Sequence, residues 1–327
     1  MELPVLDLRH PRFVADLRAA ARDVGFFYLV GHGVPDALAE ALFAASGRFF
    51  SLPETQKRAI QMANSPHFRG YTRLGDERTG GRTDWREQID FGLEVPALAL
   101  APGDPPWRRL QGPNQWPLDV PELRPLVLQW HEALHTVAMR LLRAFALALE
   151  QPGDLFEPLC SGFPNQVIKT IRYPGRDVAT DDQGCGAHKD SEFLTLLRQD
   201  RVGGLQVQGD QGWIDAPPLP GSFVVNTGEL LELASEGYLR ATVHRVVAPP
   251  AGVERLSLAF FLAARLDAVL PRLSLPPALA AEARGPAQDP ANPLYREVGP
   301  NTLKGRLRAH PDVAQRHYAD VLAAQSG

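Results

Sequence analysis

The spacing of apolar residues in the first third of the chain predicts a mixture of short strands and helices. Continuous or alternating apolar runs indicate strands, whereas apolar residues that recur every three or four positions indicate helices. These patterns predict a strand at 4–8, a helix at 12–24, a buried strand at 25–30, and helices at 35–49 and 53–62. Gly, Arg, Thr and Asp then dominate residues 64–84, which predicts a long loop, and such loops are often functional.

The clearest helical pattern lies in the middle of the chain, over residues 119–150. Leu134, Val137 and Leu141 recur there at three- and four-residue spacing, so they share one face of a helix. A Pro-Gly pair at 152–153 then ends the pattern. We therefore expect one long helix that packs against the rest of the protein.

The pattern changes again at Val167. From there to Ala264, short apolar or alternating runs are separated by turns rich in Gly, Pro and Asp. The runs occupy residues 167–173, 187–197, 204–208, 222–226, 242–247 and 256–263. Short strands at this spacing, without helices between them, are typical of an antiparallel sandwich or jelly roll. With a polar helix predicted near 311–324, we expect a mainly β fold with flanking helices.

Composition narrows the possible function classes. The 327 residues are 44% apolar and 22% charged, a balance typical of globular proteins. Lys and Arg number 34 against 38 Asp and Glu, a net charge of −4, so no nucleic-acid or membrane surface is expected. Two cysteines cannot form a disulfide framework, and no apolar run approaches the ~18 residues of a membrane span. We expect a cytoplasmic protein, monomeric or weakly homo-oligomeric.

Three residues of the β-rich half form a candidate metal site. His188 and Asp190 lie at the start of a predicted strand, where positions i and i+2 share one face and Lys189 points the other way. His244, in another predicted strand, adds a second imidazole. Two His and one carboxylate on one face form the facial triad of non-haem Fe(II) oxygenases, which leaves three metal positions for substrates. Alone, a His-x-Asp tripeptide would more often be a chance arrangement of surface residues.

Arg255 and Ser257 form a second candidate, on one face of an otherwise apolar strand. A guanidinium offers a planar fork for a carboxylate, and the hydroxyl adds a further hydrogen bond. The pair therefore needs an anionic partner. Without the nearby triad, an ion pair with an Asp or Glu of the protein would be the simpler explanation.

Together these residues resemble the isopenicillin N synthase-like group of 2-oxoglutarate/Fe(II)-dependent oxygenases, over nearly the whole chain. Further similar motifs are Gly-Phe-Phe at 25–27, Gly-His-Gly at 31–33, Gly-Tyr at 70–71, Arg-Tyr-Pro at 172–174, Gly-Gly-Leu-Gln-Val at 203–207 and Val-Asn-Thr-Gly-Glu at 225–229. The chain departs from the pattern at Ile171, Lys189 and Glu229, where some or most members of the family have Asn, Thr and Asp. None of these departures affects the metal ligands.

The resemblance implies a double-stranded β-helix, or cupin-like jelly roll, with Fe(II) bound by the two imidazoles and the carboxylate. It implies that 2-oxoglutarate chelates the iron and places its distal carboxylate on Arg255 and Ser257, assisted by the Tyr173 hydroxyl. O2 would then drive decarboxylation to succinate and CO2, coupled to hydroxylation or desaturation of a small metabolite. The implied regions are an N-terminal part at 1–110, a supporting helix at 111–164, the core at 165–265 and a Pro-rich segment with a helix at 266–327.

Five further residues form a predicted substrate pocket. Phe261 shares the strand face of Arg255, Tyr71 lies in the long N-terminal loop, and Phe163 precedes the first core strand. Three aromatic side chains converging on the iron would favour a flat substrate that is aromatic or apolar. Arg69 and Arg86 of the same loop would contact a carboxylate or phenolate of the substrate. Ordinary core packing is the competing explanation for the aromatic residues.

Other functions stay open at this point. His131, Glu132 and His135 match the His-Glu-x-x-His pattern of zinc hydrolases on a predicted helix, although no third ligand is evident. A second alternative keeps the fold but uses Arg-x-Ser for a substrate carboxylate and no 2-oxoglutarate; in that group a glutamine near the C-terminus, here Gln325, can reach the iron. A third is a non-catalytic jelly roll that only binds a ligand.

Overall fold

The computed structural model describes residues 2–177, 181–287 and 292–326, without the side chains of residues 325 and 326. The strands in these ranges are β1 Val5–Asp7, β2 Phe26–Val30, β3 Gly70–Thr72, β4 Arg78–Thr79, β5 Arg82–Thr83, β6 Glu87–Gly92, β7 Pro164–Pro174, β8 Gln183–His188, β9 Leu194–Gln199, β10 Leu205–Gly209, β11 Gly212–Asp215, β12 Phe223–Thr227, β13 His244–Val247 and β14 Glu254–Arg265. The helices are α1 Phe13–Asp23, α2 Asp36–Phe50, α3 Glu54–Lys57, α4 Leu123–Ala148, α5 Glu157–Cys160, α6 Glu229–Ala234, α7 Pro277–Glu282, α8 Val298–Ala309, α9 Pro311–His317 and α10 Ala319–Ser326.

Two sheets form the β core. The larger has the strand order β1-β2-β12-β9-β14-β7-β6-β3, and the smaller has the order β11-β10-β13-β8. Neighbouring strands run antiparallel except for β1 and β2, which are parallel. The prediction of a mainly β jelly roll with flanking helices is confirmed.

Each face of the large sheet contributes to a different apolar core. Along β14, Leu258 and Phe260 point into a core shared with the helices, whereas Ala259 points into a smaller core whose members come from both sheets. This separation follows from the alternation of side chains along a strand. Arg255 and Ser257 lie on the same inner face as Ala259, so two polar side chains enter an apolar interior.

The long central helix α4 supports the outer face of the large sheet. Trp130, Leu134 and Phe145 on its inner side are completely buried, and the helix contacts α1, α2 and β14. Burial of each such side chain contributes roughly 1.5–3 kcal/mol. The helix predicted from apolar spacing is confirmed. None of the helices within the described ranges has the length and apolar character needed to cross a membrane.

Two predicted elements near the site differ from the structure. Residues 187–197 are not one strand, because β8 ends at His188 and β9 begins only at Leu194. The predicted loop at 64–84 includes the short strands β3, β4 and β5. β6 follows it and was not predicted, because its Glu87, Gln88 and Asp90 are polar residues that the fold buries.

Two predicted helices are shorter than their sequence patterns indicate. Over residues 53–62, α3 has only four residues and is followed by 3-10 turns, with extended backbone at Gln61. The C-terminal helix predicted near 311–324 is divided into α9 and α10 at Tyr318. The aromatic side chain of Tyr318 is fully buried, and its hydroxyl donates to the carbonyl of Pro66 at 2.7 Å. Tertiary contacts therefore determine where these helices end.

Candidate active site

His188, Asp190 and His244 come together where β8 ends and β13 begins. His188 is the last residue of β8 and His244 the first of β13, and the two are paired across the small sheet. Asp190 Oδ1 lies 3.5 Å from His188 Nε2 and 3.6 Å from His244 Nε2. One donor atom from each residue fits within 4.8 Å of the others, and no other such group of three occurs in the described ranges.

The local geometry at Asp190 differs from the sequence-based explanation. β8 ends at His188, so Asp190 lies in the turn that follows and does not share a strand face with the imidazole. The turn is fixed by α6, because the Glu229 amide donates to the Asp190 carbonyl at 2.8 Å. The ammonium group of Lys189 pairs with Glu232 at 3.0 Å. A turn, not strand alternation, therefore brings the carboxylate to the two imidazoles.

Two buried side chains orient the Asp190 carboxylate. Its Oδ2 accepts hydrogen bonds from Thr195 Oγ1 at 2.5 Å and from Asn226 Nδ2 at 2.8 Å, which leaves Oδ1 facing the imidazoles. Burial alone would raise the pKa of Asp190, but the two imidazoles and Thr195 outweigh it and hold the pKa far below its ordinary value. The sequence analysis missed both residues. Their positions on the inner faces of β9 and β12 were the available signal.

The imidazoles are also held by their second nitrogen atoms. His188 Nδ1 contacts the Gly186 carbonyl at 2.8 Å, and His244 Nδ1 contacts the Thr242 carbonyl at 3.2 Å. These contacts direct both Nε2 atoms toward Asp190. Burial lowers the pKa of His244 to about 4, so this imidazole is neutral near pH 7, as a metal ligand must be. Burial alone would lower the pKa of His188, but Cys185 and Asp190 outweigh it and hold this pKa well above its ordinary value, so a bound metal ion would displace the proton of His188. Two His and one carboxylate suit Fe(II) with open coordination positions.

Arg255 is a fully buried cation with incomplete hydrogen bonding. Its Nη2 donates to Gln199 Oε1 at 3.0 Å, and the guanidinium lies 4.9 Å from the ring centre of Tyr173. Its Nε and Nη1 atoms, and the Ser257 hydroxyl, have no hydrogen-bond partner among the described residues. Buried polar groups are rarely left unpaired, so three such atoms on one inner face fit an anionic ligand such as a carboxylate.

Tyr173 and Arg86 complete this part of the interior. Tyr173 is paired with Arg255 across β7 and β14, and burial raises the pKa of its hydroxyl. The positive charge of Arg86 partly offsets this rise in pKa, and the Arg86 Nη2 lies 3.1 Å from carboxylate oxygens of both Glu77 and Asp84. Arg86 therefore links the N-terminal segment to the interior of the β core.

A cavity of about 540 Å³ opens beside the metal cluster, with His188 and Asp190 in its wall. Of the five predicted pocket residues, Phe261 and Arg86 line this cavity. Most of the other side chains around it are charged, among them Glu77, Lys169, Lys189, Glu192, Glu229 and Arg306. Burial raises the pKa of Glu229 to about 7.

Tyr71 lies in the protein core and not in the cavity wall. β3 pairs with β6, the tyrosine ring packs against Phe49, and the residue is only 2% exposed. Its hydroxyl donates to Glu87 Oε2 at 2.6 Å, and the same carboxylate oxygen pairs with Lys57 at 2.7 Å. Tyr71 lines a separate cavity of about 290 Å³, which shares His310 with the first but contains none of the three candidate metal ligands. The structure therefore does not bring Tyr71 into the wall beside the metal cluster.

Arg69 and Phe163 also lie outside the cavity. Both line a separate small depression that contains none of the three candidate metal ligands. The Arg69 guanidinium packs against the backbone of Gly92, where a Cβ atom would lie only 2.2 Å from it. Burial lowers the pKa of Arg69 to about 10. Phe163 is 58% exposed. Two of the three predicted aromatics therefore lie outside this cavity and do not support an aromatic or apolar substrate, which stays a prediction.

The His-Glu-x-x-His motif on α4 lacks the other elements of a zinc site. The His131 and His135 rings are parallel with centres 6.4 Å apart, and His131 packs edge-on against Phe260. His135 Nδ1 contacts the Gln166 amide at 2.6 Å. Within the described part of the chain no third ligand joins them. These residues therefore serve packing between α4 and the large sheet.

Two family models match the chain. The N-terminal model of non-haem dioxygenases, described for morphine synthesis, matches residues 3–119. The 2OG-Fe(II) oxygenase superfamily model matches residues 164–264, which include all three candidate metal ligands and both Arg255 and Ser257. The two models cover the N-terminal region and the β core separately.

Curated relatives and a solved structure agree with these matches. The chain is 34% identical to the 2-oxoglutarate-dependent dioxygenase frbJ of Dothideomycetidae sp., over 98% of this chain and 94% of that protein. It is 39% identical to homoarginine-6-hydroxylase 2-ODD-C23 of Glycine max, over 72% of each chain. Among solved structures, that of JOX2 in complex with 2OG, Fe and JA has a TM-score of 0.75 and 25% identity, and covers 97% of this chain and 89% of JOX2.

Proposed function

The chain belongs to the 2OG-Fe(II) oxygenase superfamily, and from this premise we propose that His188, Asp190 and His244 bind its Fe(II). We further propose that Arg255 and Ser257 bind the distal carboxylate of 2-oxoglutarate, the cosubstrate of this enzyme class. The observation that carries the assignment is the set of buried, unpaired donors on the inner face of β14, in the same interior as the metal cluster. If Arg255 served only in an ion pair with an Asp or Glu of the protein, these donors would already have partners.

When bound, Fe(II) and 2-oxoglutarate supply O2-dependent oxidation, coupled to formation of succinate and CO2. The residues of the chain position these groups. Thr195 and Asn226 hold the Asp190 carboxylate in one orientation, and a neutral His244 presents Nε2 without having to lose a proton. The guanidinium of Arg255, fixed by Gln199 and by the ring of Tyr173, orients the cosubstrate. The apolar inner core around these residues excludes water.

We propose hydroxylation of a polar, charged small molecule as the reaction. Charged side chains dominate the cavity wall beside Asp190, which supports a substrate that carries charge itself. The relative from Glycine max, and further relatives from Arabidopsis thaliana and Oryza sativa at 36–37% identity, are by name homoarginine-6-hydroxylases, which is consistent with a charged amino-acid substrate.

The assignment is tested by adding Fe(II) and 2-oxoglutarate to the protein without oxygen. We expect a visible metal-to-ligand charge-transfer band, then succinate formation once oxygen is admitted. Asp190→Ala is the control and should give neither signal. An enzyme that turns over its organic substrate with oxygen but forms no succinate would contradict the cosubstrate assignment and favour binding of a substrate carboxylate by Arg255.

We propose that the enzyme acts in the cytoplasm as a monomer or weak homo-oligomer, without nucleic-acid or membrane partners. The mixed charge of the chain and its two cysteines, both buried as free thiols, support this proposal. Size-exclusion chromatography with light scattering tests the oligomeric state. A stable assembly at micromolar concentration would contradict it.

A further inference from the structure

Basic side chains deep in the cavity wall are paired with acidic side chains of the protein. Lys169 lies 3.3 Å from Glu77 and 3.7 Å from Asp90, and Arg306 lies 2.8 Å from the same Asp90. Lys189 pairs with Glu232 at 3.0 Å. These cations are therefore already neutralised and are poorly suited to bind an anionic substrate.

Two carboxylates of the same wall differ from this pattern. Glu192 and Glu229 have no basic group within 4.0 Å in the described parts of the chain, although their side chains lie in the cavity wall. Two backbone hydrogen bonds join the start of α6, which carries Glu229, to the turn that carries Asp190 and Glu192. The Glu229 amide donates to the Asp190 carbonyl at 2.8 Å, and the Leu230 amide donates to the Glu192 carbonyl at 3.2 Å. Gly228 allows this approach, because a Cβ there would lie 2.0 Å from the Glu192 carbonyl oxygen.

A second polar group in the same wall is also without a partner. His310 is 2% exposed, and its Nε2 makes no hydrogen bond to any described residue; the closest acidic atom, Glu77 Oε1, is 3.7 Å away. Buried polar atoms without partners in a cavity wall indicate that a ligand supplies the missing contacts. Since the described residues contain no further metal-binding group, a second metal ion is not the expected occupant.

We propose that Glu192 and Glu229 bind a cationic group of the substrate, a guanidinium or an ammonium, close to the metal. This inference rests on the proposed function and specifies its substrate class. A carboxylate that is partly removed from water without a counter-ion is destabilised, and an entering cation relieves that cost. A neutral substrate of the same shape would leave both carboxylates unpaired. The site therefore discriminates by charge as well as by size.

The test measures anaerobic binding by calorimetry to the protein loaded with Fe(II) and 2-oxoglutarate. The ligand pairs are L-homoarginine with its neutral isostere L-homocitrulline, and L-lysine with L-norleucine. We expect the cation of at least one pair to bind roughly tenfold or more tightly than its neutral partner, the effect of one charge-assisted hydrogen bond. Equal affinities within both pairs would overturn the inference.

Matched variants then assign the preference to residues. Glu229→Gln and Glu192→Gln keep the side-chain shape and should each reduce the cation preference by about tenfold. Glu122→Gln, which removes an exposed carboxylate paired with Arg48, should leave the preference unchanged. An unchanged preference in both cavity variants would also overturn the inference.

The charge-transfer band separates this inference from the proposed function. A band in the wild-type protein and in both Gln variants shows that iron and cosubstrate still bind, so a missing cation preference then counts against the inference alone. If the wild-type protein showed no charge-transfer band, the proposed function itself would be overturned.

Discussion

Two buried groups of charged side chains differ in whether their charges are paired. On the inner face of β14, Arg255 is fully buried, yet two of its nitrogen atoms have no partner among the described residues. Near the cavity wall, Lys169, Arg306 and Asp90 form a continuous network with distances of 2.8–3.7 Å. The paired network stabilises the fold by joining β6, β7 and α8. The fold gains nothing from an unsatisfied buried cation, so the unpaired group fits the ligand-binding role that we propose for it.

This comparison separates residues whose replacement affects binding from residues whose replacement affects folding. An unpaired buried group can be removed without leaving a second charge stranded. A paired one cannot, since its partner then becomes an uncompensated buried charge. The following predictions are arranged by expected size of effect.

Replacing a candidate metal ligand should have the largest effect on activity. Asp190→Ala should abolish iron-dependent turnover and still give a folded protein, because the strands that carry the ligands close without metal. Bound iron and succinate formation are the measurements, with circular dichroism as the control for folding. Normal oxygen-dependent turnover in this variant would refute the assignment of the metal ligands.

Breaking the paired network should have the largest effect on stability. Arg306→Met leaves Asp90 with only the more distant Lys169 as a cationic partner, and should lower the free energy of unfolding by about 3 kcal/mol. Urea denaturation measures this loss. Arg306→Lys keeps the charge and should lose less free energy of unfolding. If Arg306→Met were as stable as the wild-type protein, the network would not stabilise the fold.

Removing the unpaired cation should give the opposite result. Arg255→Met should weaken 2-oxoglutarate binding roughly 10- to 150-fold, since one charge-assisted carboxylate contact is lost. Without cosubstrate, the free energy of unfolding should stay the same or rise, because an unsatisfied buried charge is removed. Titration of the charge-transfer band and urea denaturation provide the two measurements. If Arg255→Met lost as much stability as Arg306→Met, Arg255 would be a residue that stabilises the fold and not one kept for binding.

Acid should weaken the paired network. Burial alone would raise the pKa of Asp90 and Glu77, but Lys169 with Arg306 for Asp90, and Arg86 with Lys169 for Glu77, hold both below their ordinary values of 3.8 and 4.5. A lowered pKa in the folded state stabilises the protein above the unfolded pKa, and that stability is lost as pH falls. We expect the free energy of unfolding to decrease below about pH 4.5, less steeply in Arg306→Met, as urea titrations at several pH values would show.

The smallest effect is expected at the histidine pair of α4. His131→Ala should leave the bound iron and the activity unchanged and reduce stability only slightly, because the ring packs against Phe260 at the edge of the core. Metal analysis of the purified variant is the measurement. Loss of the metal would revive the zinc-site alternative, which also requires a third ligand. The Gln325 side chain, considered for the cosubstrate-independent alternative, lies outside the described residues.

The sequence alone was sufficient to predict those features that depend only on residues close together in the chain. Apolar spacing identified α4 and most core strands, and strand alternation placed Arg255 and Ser257 on the inner face of β14. Recurrence at two or at three to four positions reflects backbone geometry, so it can be read without knowing the partner elements. The residue types of the triad indicated iron chemistry for the same reason, since ligand preference is a property of the side chains.

Tertiary structure decided the features that depend on distant partners. Asp190 reaches the imidazoles through a turn held by α6, and Tyr71 points inward because β6 supplies Glu87 as its hydrogen-bond partner. The sequence also could not show which charges near the cavity wall are paired, because Arg306 and Asp90 are 216 positions apart in the chain. Whether a buried charge is paired depends on which strands and helices meet around it, and those contacts form only when the chain folds.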